Sequence, residues 1–162
     1  MEPVIVAIGS NLGDRLSIIQ QTGVFLDQLS ERPVEKASIW ESEPVGPSKF
    51  QFYNTAAKIY TSLSPPELLV KLKKFEQKMG REENPERWGP RILDLDIIRY
   101  SDLVIQTESL IIPHPEYSRR LFVLLPMQEV DPNWLDPTTG KTLSEVVKTA
   151  PEMKIHKTEH RW

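Results

Sequence analysis

Between Ile92 and Ile98 the chain reads Ile-Leu-Asp-Leu-Asp-Ile-Ile, an alternation of apolar and charged residues that predicts an extended strand. Successive strand side chains take opposite faces, so Leu93, Leu95 and Ile97 share one face and Asp94 and Asp96 the other. The period of two sets the carboxylates side by side, with Cα atoms roughly 7 Å apart. One face of this strand must therefore be packed. The other must carry two like charges that repel unless a cation lies between them.

The segments around it read as short strands and helices in alternation. Val4 to Ile8 is a β-branched run that enters a turn at Gly9-Ser10-Asn11, and Asp14 can cap a helix carrying Leu16, Ile19, Leu26 and Leu29. Val34 to Trp40 and Asn54 to Tyr60 read as strands, separated by a Pro- and Gly-bearing loop over 43–51. Ser64-Pro65-Pro66-Glu67 combines a Ser cap, Pro at the first helical position and Glu three residues after the cap. Leu68, Leu72, Phe75 and Met79 follow on one face, and Gly80 supplies the stop. A second loop spans 81–91, and Leu103 to Gln106 is placed to pair with the acidic strand through Ser101-Asp102. Leu110 to Ile112 is a further short strand. Arg119 to Val130 has a helical pattern that Pro126 is expected to kink or cut short, and Thr142-Leu143-Ser144-Glu145 is a second capping box. The reading is one α+β domain over 1–162.

Composition narrows the chemistry. At about 150 residues per domain, 162 residues favour one unit, large enough to bury roughly 70% of its unfolded surface. The absence of Cys excludes a disulfide scaffold, a thiolate zinc site and a cysteine nucleophile. A net charge of -3 supplies no global field for nucleic acid, and no apolar run approaches the ~20 residues that span a bilayer. No secretory signal opens the chain, so the expected setting is cytoplasmic, with small-molecule partners and a monomeric protein.

A bare Asp-x-Asp is more often a solvated strand face than a metal site. Three arginines on the preceding loop, Arg81, Arg87 and Arg91, change that balance. Guanidinium groups match phosphate oxygens bidentately, and carboxylate-bound Mg²⁺ beside Arg is the equipment of phosphoryl transfer. The same arginines could merely pair with Glu82, Glu83 and Glu86. No Gly-rich phosphate loop of either common type is present, so nucleotide phosphates would be held by side chains and metal. Pro113-His114-Pro115 followed by Arg119-Arg120 is a further candidate phosphate contact. Phe52, Tyr53 and Phe122 are candidate stacking rings, and the Asn54 amide suits a heterocycle edge. His156 and His160 read as an exposed tail.

Four segments occur in order: Gly9-Ser10-Asn11-Leu12-Gly13, Phe52-Tyr53-Asn54, Arg87-Trp88-Gly89-Pro90-Arg91-Ile92-Leu93-Asp94-Leu95-Asp96, and Pro113-His114. Together they resemble the 6-hydroxymethyl-7,8-dihydropterin pyrophosphokinase family of folate biosynthesis, over nearly the whole chain. The resemblance implies a ferredoxin-like two-layer α+β sandwich with a mainly antiparallel sheet and packed helices. It also implies transfer of diphosphate from ATP to the pterin hydroxymethyl group, with release of AMP.

By the same resemblance Asp94 and Asp96 hold two Mg²⁺ ions, and Arg81 and Arg91 act on the phosphates in catalysis. ATP would meet Glu76, Arg87, Arg91, Ile97, His114 and Arg120. The pterin would stack between Phe52 and Phe122, with Asn54, Trp88 and groups around Ser42 and Val45 at its edge. Phe52 is favoured over Tyr53 by its distance from Asn54. Glu83, Ser109 and Pro115 depart from the best-known bacterial pattern at positions near ATP. Two other classes use parts of the same constellation. A different Mg²⁺-dependent transferase would release ADP or pyrophosphate, and a non-catalytic ferredoxin-like module would tolerate loss of both aspartates.

Overall fold

In a computed structural model, residues 1–11, 14–43, 51–80 and 92–162 are described. The strands are β1 (Glu2–Ser10), β2 (Glu35–Lys36), β3 (Trp40–Ser42), β4 (Phe52–Thr61), β5 (Leu93–Tyr100), β6 (Ile105–Gln106), β7 (Ile111–Ile112) and β8 (Ile155–Lys157). The helices are α1 (Arg15–Leu29), α2 (Pro65–Gly80), α3 (Leu121–Val130) and α4 (Leu143–Thr149), with a 3-10 turn over Tyr117–Arg119. The main sheet runs β5-β1-β4-β3-β8, with β2 also on β4, and each of its pairings is antiparallel. The order of β1, β3, β4 and β5, with α1 and α2 as the crossovers, is the ferredoxin-like arrangement expected from the sequence.

Local chemistry explains the helix starts. The Asp14 carboxylate accepts the Ser17 N–H at 3.1 Å, and Ser64 and Glu67 exchange reciprocal bonds of 3.1 and 3.3 Å. Each satisfies N–H groups that a helix start leaves without partners. α1 and α2 then bury Ile19, Leu26, Leu68 and Leu72 against Val4, Val6, Ile8, Leu95 and Ile97. Phe25 and Phe75 stack at 4.1 Å and join the two helices.

A second helical layer lies on the other face of the sheet, so the sheet sits between two helical layers where the resemblance implied a two-layer sandwich. Val123, Leu124 and Met127 of α3 pack with Leu143 and Val146 of α4 on Ile5, Ala56 and Ile98. A one-residue bulge at Ile98, between the pairs Val6–Ile97 and Ile5–Arg99, brings β5 back into phase. Ile98 enters the α3 core and Arg99 bonds Asp131 beyond the end of α3 at 2.7 Å. α3 covers this end of the sheet and leaves the Asp94 end open to a cleft.

Five elements differ from expectation. Gly9 and Ser10, read as the start of a turn, continue β1, because both are paired with β4 on one side and β5 on the other. The Val34–Trp40 strand is split into β2 and β3, because side chains take the intervening carbonyls: Thr55 and Trp162 bond Ala37, and Thr158 bonds Ile39. β6 pairs with β7 rather than β5, whose outer edge is met by α2 and by His114. Pro126 neither ends nor cuts short α3. Its ring is buried in the second layer, and only the carbonyl of Phe122 loses its usual helical donor. The C-terminal segment is no free tail. β8 closes the sheet on β3, although the His156 and His160 side chains are exposed as expected.

Candidate active site

The floor of the cleft is one row of residues across three adjacent strands. Gly9 on β1 is in register with Asp94 on β5 and with Asn54 on β4. One row inward, Ala7 is in register with Asp96 and Ala56. At two strand spacings, Asp94 and Asn54 are roughly 10 Å apart at Cα, with only a glycine between them. A Cβ at Gly9 would sit 3.3 Å from Asn54 Oδ1, closer than ordinary packing allows, so the glycine keeps this floor low. Above it opens a cleft of about 510 Å³, walled by Glu116, Arg119, Arg120, Phe122 and Val123 on one side and by Pro151–Met153 on another.

At the β3–β4 end, Asn54 Nδ2 donates to Ser42 Oγ at 2.8 Å, and the two residues are only 4% and 2% exposed. The bond fixes the amide plane, leaving one N–H and the carbonyl oxygen for other partners. Strand alternation puts Phe52 on the Asn54 face, where it lines the cleft. Tyr53 takes the opposite face, with its hydroxyl 3.0 Å from His160 Nε2 and the Arg15 guanidinium 4.1 Å from its ring centroid. Phe52, not Tyr53, therefore faces the same space as Phe122.

At the β5 end, Asp94 and Asp96 are half-buried and both line the cleft. Among the described residues, no cluster of three or more His, Cys, Asp or Glu side chains forms a ready-made metal cage. Two carboxylates on one strand face are an oxygen-only donor set. That fits Mg²⁺, which keeps water and takes further ligands from substrate phosphates.

The outer edge of β5 carries more polar chemistry. Leu95 donates its N–H to Glu76 Oε2 at 2.8 Å and accepts from Lys73 Nζ at 3.3 Å, while Lys73 and Glu76 pair at 3.0 Å. Burial pushes the Glu76 carboxyl above its ordinary value, with the Leu95 N–H pulling the other way. The Ile97 side chain is 3% exposed and sits in the α1–α2 core, on the face away from Asp96. Two residues beyond Leu95, its backbone N–H points to the same outer edge, so Ile97 can reach a ligand only through its backbone. His114 is anchored by its N–H on Ile98 O at 3.0 Å, and its Nδ1 accepts from the Glu116 N–H at 3.1 Å. Burial lowers its imidazole below the ordinary value, opposed chiefly by Asp96.

Of the residues singled out in the sequence, Ser42, Phe52, Asn54, Asp94, Asp96, Arg120 and Phe122 thus line one cleft. His114 lines an adjoining pocket that shares Arg119 with the cleft, and Glu76 sits at the outer edge of β5 on the Leu95 N–H; neither lines the cleft itself. Val45, Arg81, Glu83, Arg87, Trp88 and Arg91 lie outside the described residues. Sequence reasoning assigned no role to Ala7, Glu116 or Met153; it read Gly9 as part of a turn and Arg119, with Arg120, as a candidate phosphate contact, and both line the cleft. The small residues at alternate positions of β1 were a readable signal for the floor. Met153 had none, because strand pairing over a long separation brings it there.

A family model described as 7,8-dihydro-6-hydroxymethylpterin-pyrophosphokinase matches residues 5–132. The 2-amino-4-hydroxy-6-hydroxymethyldihydropteridine pyrophosphokinase of Aquifex aeolicus is 42% identical over 147 residues, covering 90% of each chain. The Bacillus subtilis protein of the same name is 45% identical over 127 residues, 77% of this chain and 75% of that one. The crystal structure of wild-type Plasmodium falciparum HPPK-DHPS superposes with a TM-score of 0.70 at 14% identity. That match takes in 91% of this chain and 44% of the larger one, and it bears on the fold alone.

Proposed function

The chain belongs to the 7,8-dihydro-6-hydroxymethylpterin-pyrophosphokinase family, and on that premise we propose that its cleft passes the terminal diphosphate of ATP to the hydroxymethyl group of 6-hydroxymethyl-7,8-dihydropterin, a step of folate biosynthesis. The hydroxymethyl oxygen attacks the β-phosphorus, the bond from that phosphorus to the α-phosphate oxygen breaks, and AMP leaves. The observation that carries this reading is the single floor row in which Gly9 separates Asp94 from Asn54. A cation-binding end and a heterocycle-binding end lie about one small substrate apart.

At the heterocycle end, Phe52 and Phe122 supply two faces for stacking, and Asn54, oriented by Ser42, meets the donor–acceptor edge of the ring. Val45 and Trp88 belong to this end by resemblance. At the other end Asp94 and Asp96 would hold two Mg²⁺ ions. Bound there, Mg²⁺ neutralises the triphosphate and lowers the pKa of the attacking hydroxyl. Arg120 presents its guanidinium over the cleft, and neutral His114 keeps Nε2–H free to donate to a phosphate. Arg81, Arg87 and Arg91 carry the remaining charge stabilisation as the phosphorus–oxygen bond breaks. Glu76 and the backbone of Ile97 offer polar groups to the nucleoside along the β5 edge.

No helix among the described residues is long and apolar enough to cross a membrane. The reading has residues 1–162 acting as one monomeric domain in the cytoplasm on two dissolved substrates. Incubation with Mg-ATP and 6-hydroxymethyl-7,8-dihydropterin, followed by chromatography, tests it. AMP formed one-for-one with the diphosphorylated pterin is the expected result. ADP with a monophosphorylated pterin would show that a different bond is broken, and no pterin-dependent turnover by folded protein would end the assignment.

A further inference from the structure

The family match ends at residue 132, yet one wall of the cleft comes from beyond it, at Pro151–Met153. That wall is built as an extension of the sheet. β8 runs antiparallel to β3 with Ile155 opposite Ser42. The pairing continues one step further, since the Glu43 N–H donates to Lys154 O at 3.2 Å and the Lys154 N–H donates to the Glu43 carboxylate at 3.1 Å. Further along, the Thr158 N–H and hydroxyl both donate to Ile39 O, at 2.9 and 2.7 Å. The Trp162 indole N–H donates to Ala37 O at 2.8 Å while its ring packs on the core.

Register decides which side chain matters. Residues opposite one another in a sheet share a face, so Ile155 lies on the face of Ser42, whose hydroxyl meets Asn54. A period of two puts Met153 on that same face and turns Lys154 away from it. Met153 is half-buried and lines the same cleft as Ser42, Asn54 and Phe52.

We propose that Met153 is a specificity-determining residue for the heterocyclic substrate: it closes the side of the ring site that Phe52, Phe122 and Asn54 leave open. An unbranched, polarisable thioether suits that place, because it adapts to a flat ring and makes favourable sulfur–aromatic contacts. The inference rests on the reading of the Phe52–Asn54 end as the pterin site. It makes the C-terminal strand part of the substrate site in addition to a cover for the sheet edge.

The test uses the full chain with Met153→Ala, Met153→Leu and Asn54→Ala, and measures KM for each substrate together with kcat and Tm. Met153→Ala is expected to raise KM for 6-hydroxymethyl-7,8-dihydropterin about five- to tenfold, the scale of one lost apolar contact. KM for ATP and kcat should stay within about twofold, and Met153→Leu, which restores the volume, should bring the pterin KM back. Equal weakening of both substrates, or a loss that follows Tm alone, would reduce Met153 to a structural residue and overturn the proposal. If Asn54→Ala raises the pterin KM and Met153→Ala does not, the Met153 assignment fails by itself. A pterin KM unmoved by Asn54→Ala sinks the underlying reading of that end.

Discussion

Asp94 and Asn54 stand in one row of the sheet, each in register with Gly9. The distance between the two ends of the cleft is therefore set by strand spacing, which is among the least adjustable lengths in a protein. Loops can alter what closes over the site, but the separation of its carboxylates from its amide is fixed by backbone hydrogen bonds.

Gly9→Ala tests that floor. Its new Cβ would press on Asn54 Oδ1 from 3.3 Å, and both sit in regular strands with little room to give. The expected outcome is a rise of about tenfold in the pterin KM, a smaller change for ATP, and a stability loss of about 1 kcal/mol from overpacking. Steady-state kinetics on both substrates with a urea melt checks all three. An unchanged pterin KM would show that the amide can shift freely.

Asp94→Ala and Asp96→Ala should each lower turnover by at least about a thousandfold while leaving the far-ultraviolet circular dichroism unchanged. Both side chains are half-buried at the cleft and outside the two cores, so removing them leaves the sheet packed. Near-normal turnover in either variant would take that residue out of the metal assignment.

Glu76→Ala removes the acceptor that satisfies the Leu95 N–H on an edge strand and is expected to destabilise the protein by about 1–3 kcal/mol. Glu76→Gln keeps an acceptor oxygen and removes a charge whose burial is unfavourable, as the raised carboxyl pKa records. The amide variant should therefore unfold near the wild-type urea midpoint at neutral pH. If both variants lose stability equally, the charge itself holds the edge.

His114 makes acid stability predictable in sign. Burial holds its folded pKa below the ordinary 6.5, and its Nδ1 accepts a backbone N–H, so only the neutral ring fits. Between the folded and unfolded pKa values the unfolded chain binds more protons, so stability is lost as pH falls through that window. His114→Asn retains an acceptor and removes the titration. Its Tm should drop less than that of the wild type between about pH 7 and about pH 5.5. Equal drops would assign the acid response to other groups.

Much of this was legible in the chain itself. The Leu93-Asp94-Leu95-Asp96 alternation specified a strand with an aliphatic face and an acidic one, and Asp14 and Ser64 marked two helix starts that the hydrogen bonds bear out. These signals are local, and local chemistry decides them. The β3–β8 pairing was not legible, because three-residue strands carry no periodicity and these two are far apart in sequence. Pro126 does not cut α3 short for a related reason: its helix-breaking tendency is local, and its buried place in the helix overrides it. Ile97 was named for a nucleotide contact, and its side chain proved to be core because alternation turns it away from Asp96.

The Lys73–Glu76 pair on the outer edge of β5 also bears on how the protein behaves in a crowded solution. An edge strand with free N–H and C=O groups is a template on which a second chain can add a strand and begin to aggregate. Both backbone groups of Leu95 are already engaged by a charged pair from α2, so an incoming strand would have to displace an ion pair in addition to water. At Leu95 the edge therefore presents side-chain partners already in place instead of a bare ladder for another polypeptide to extend.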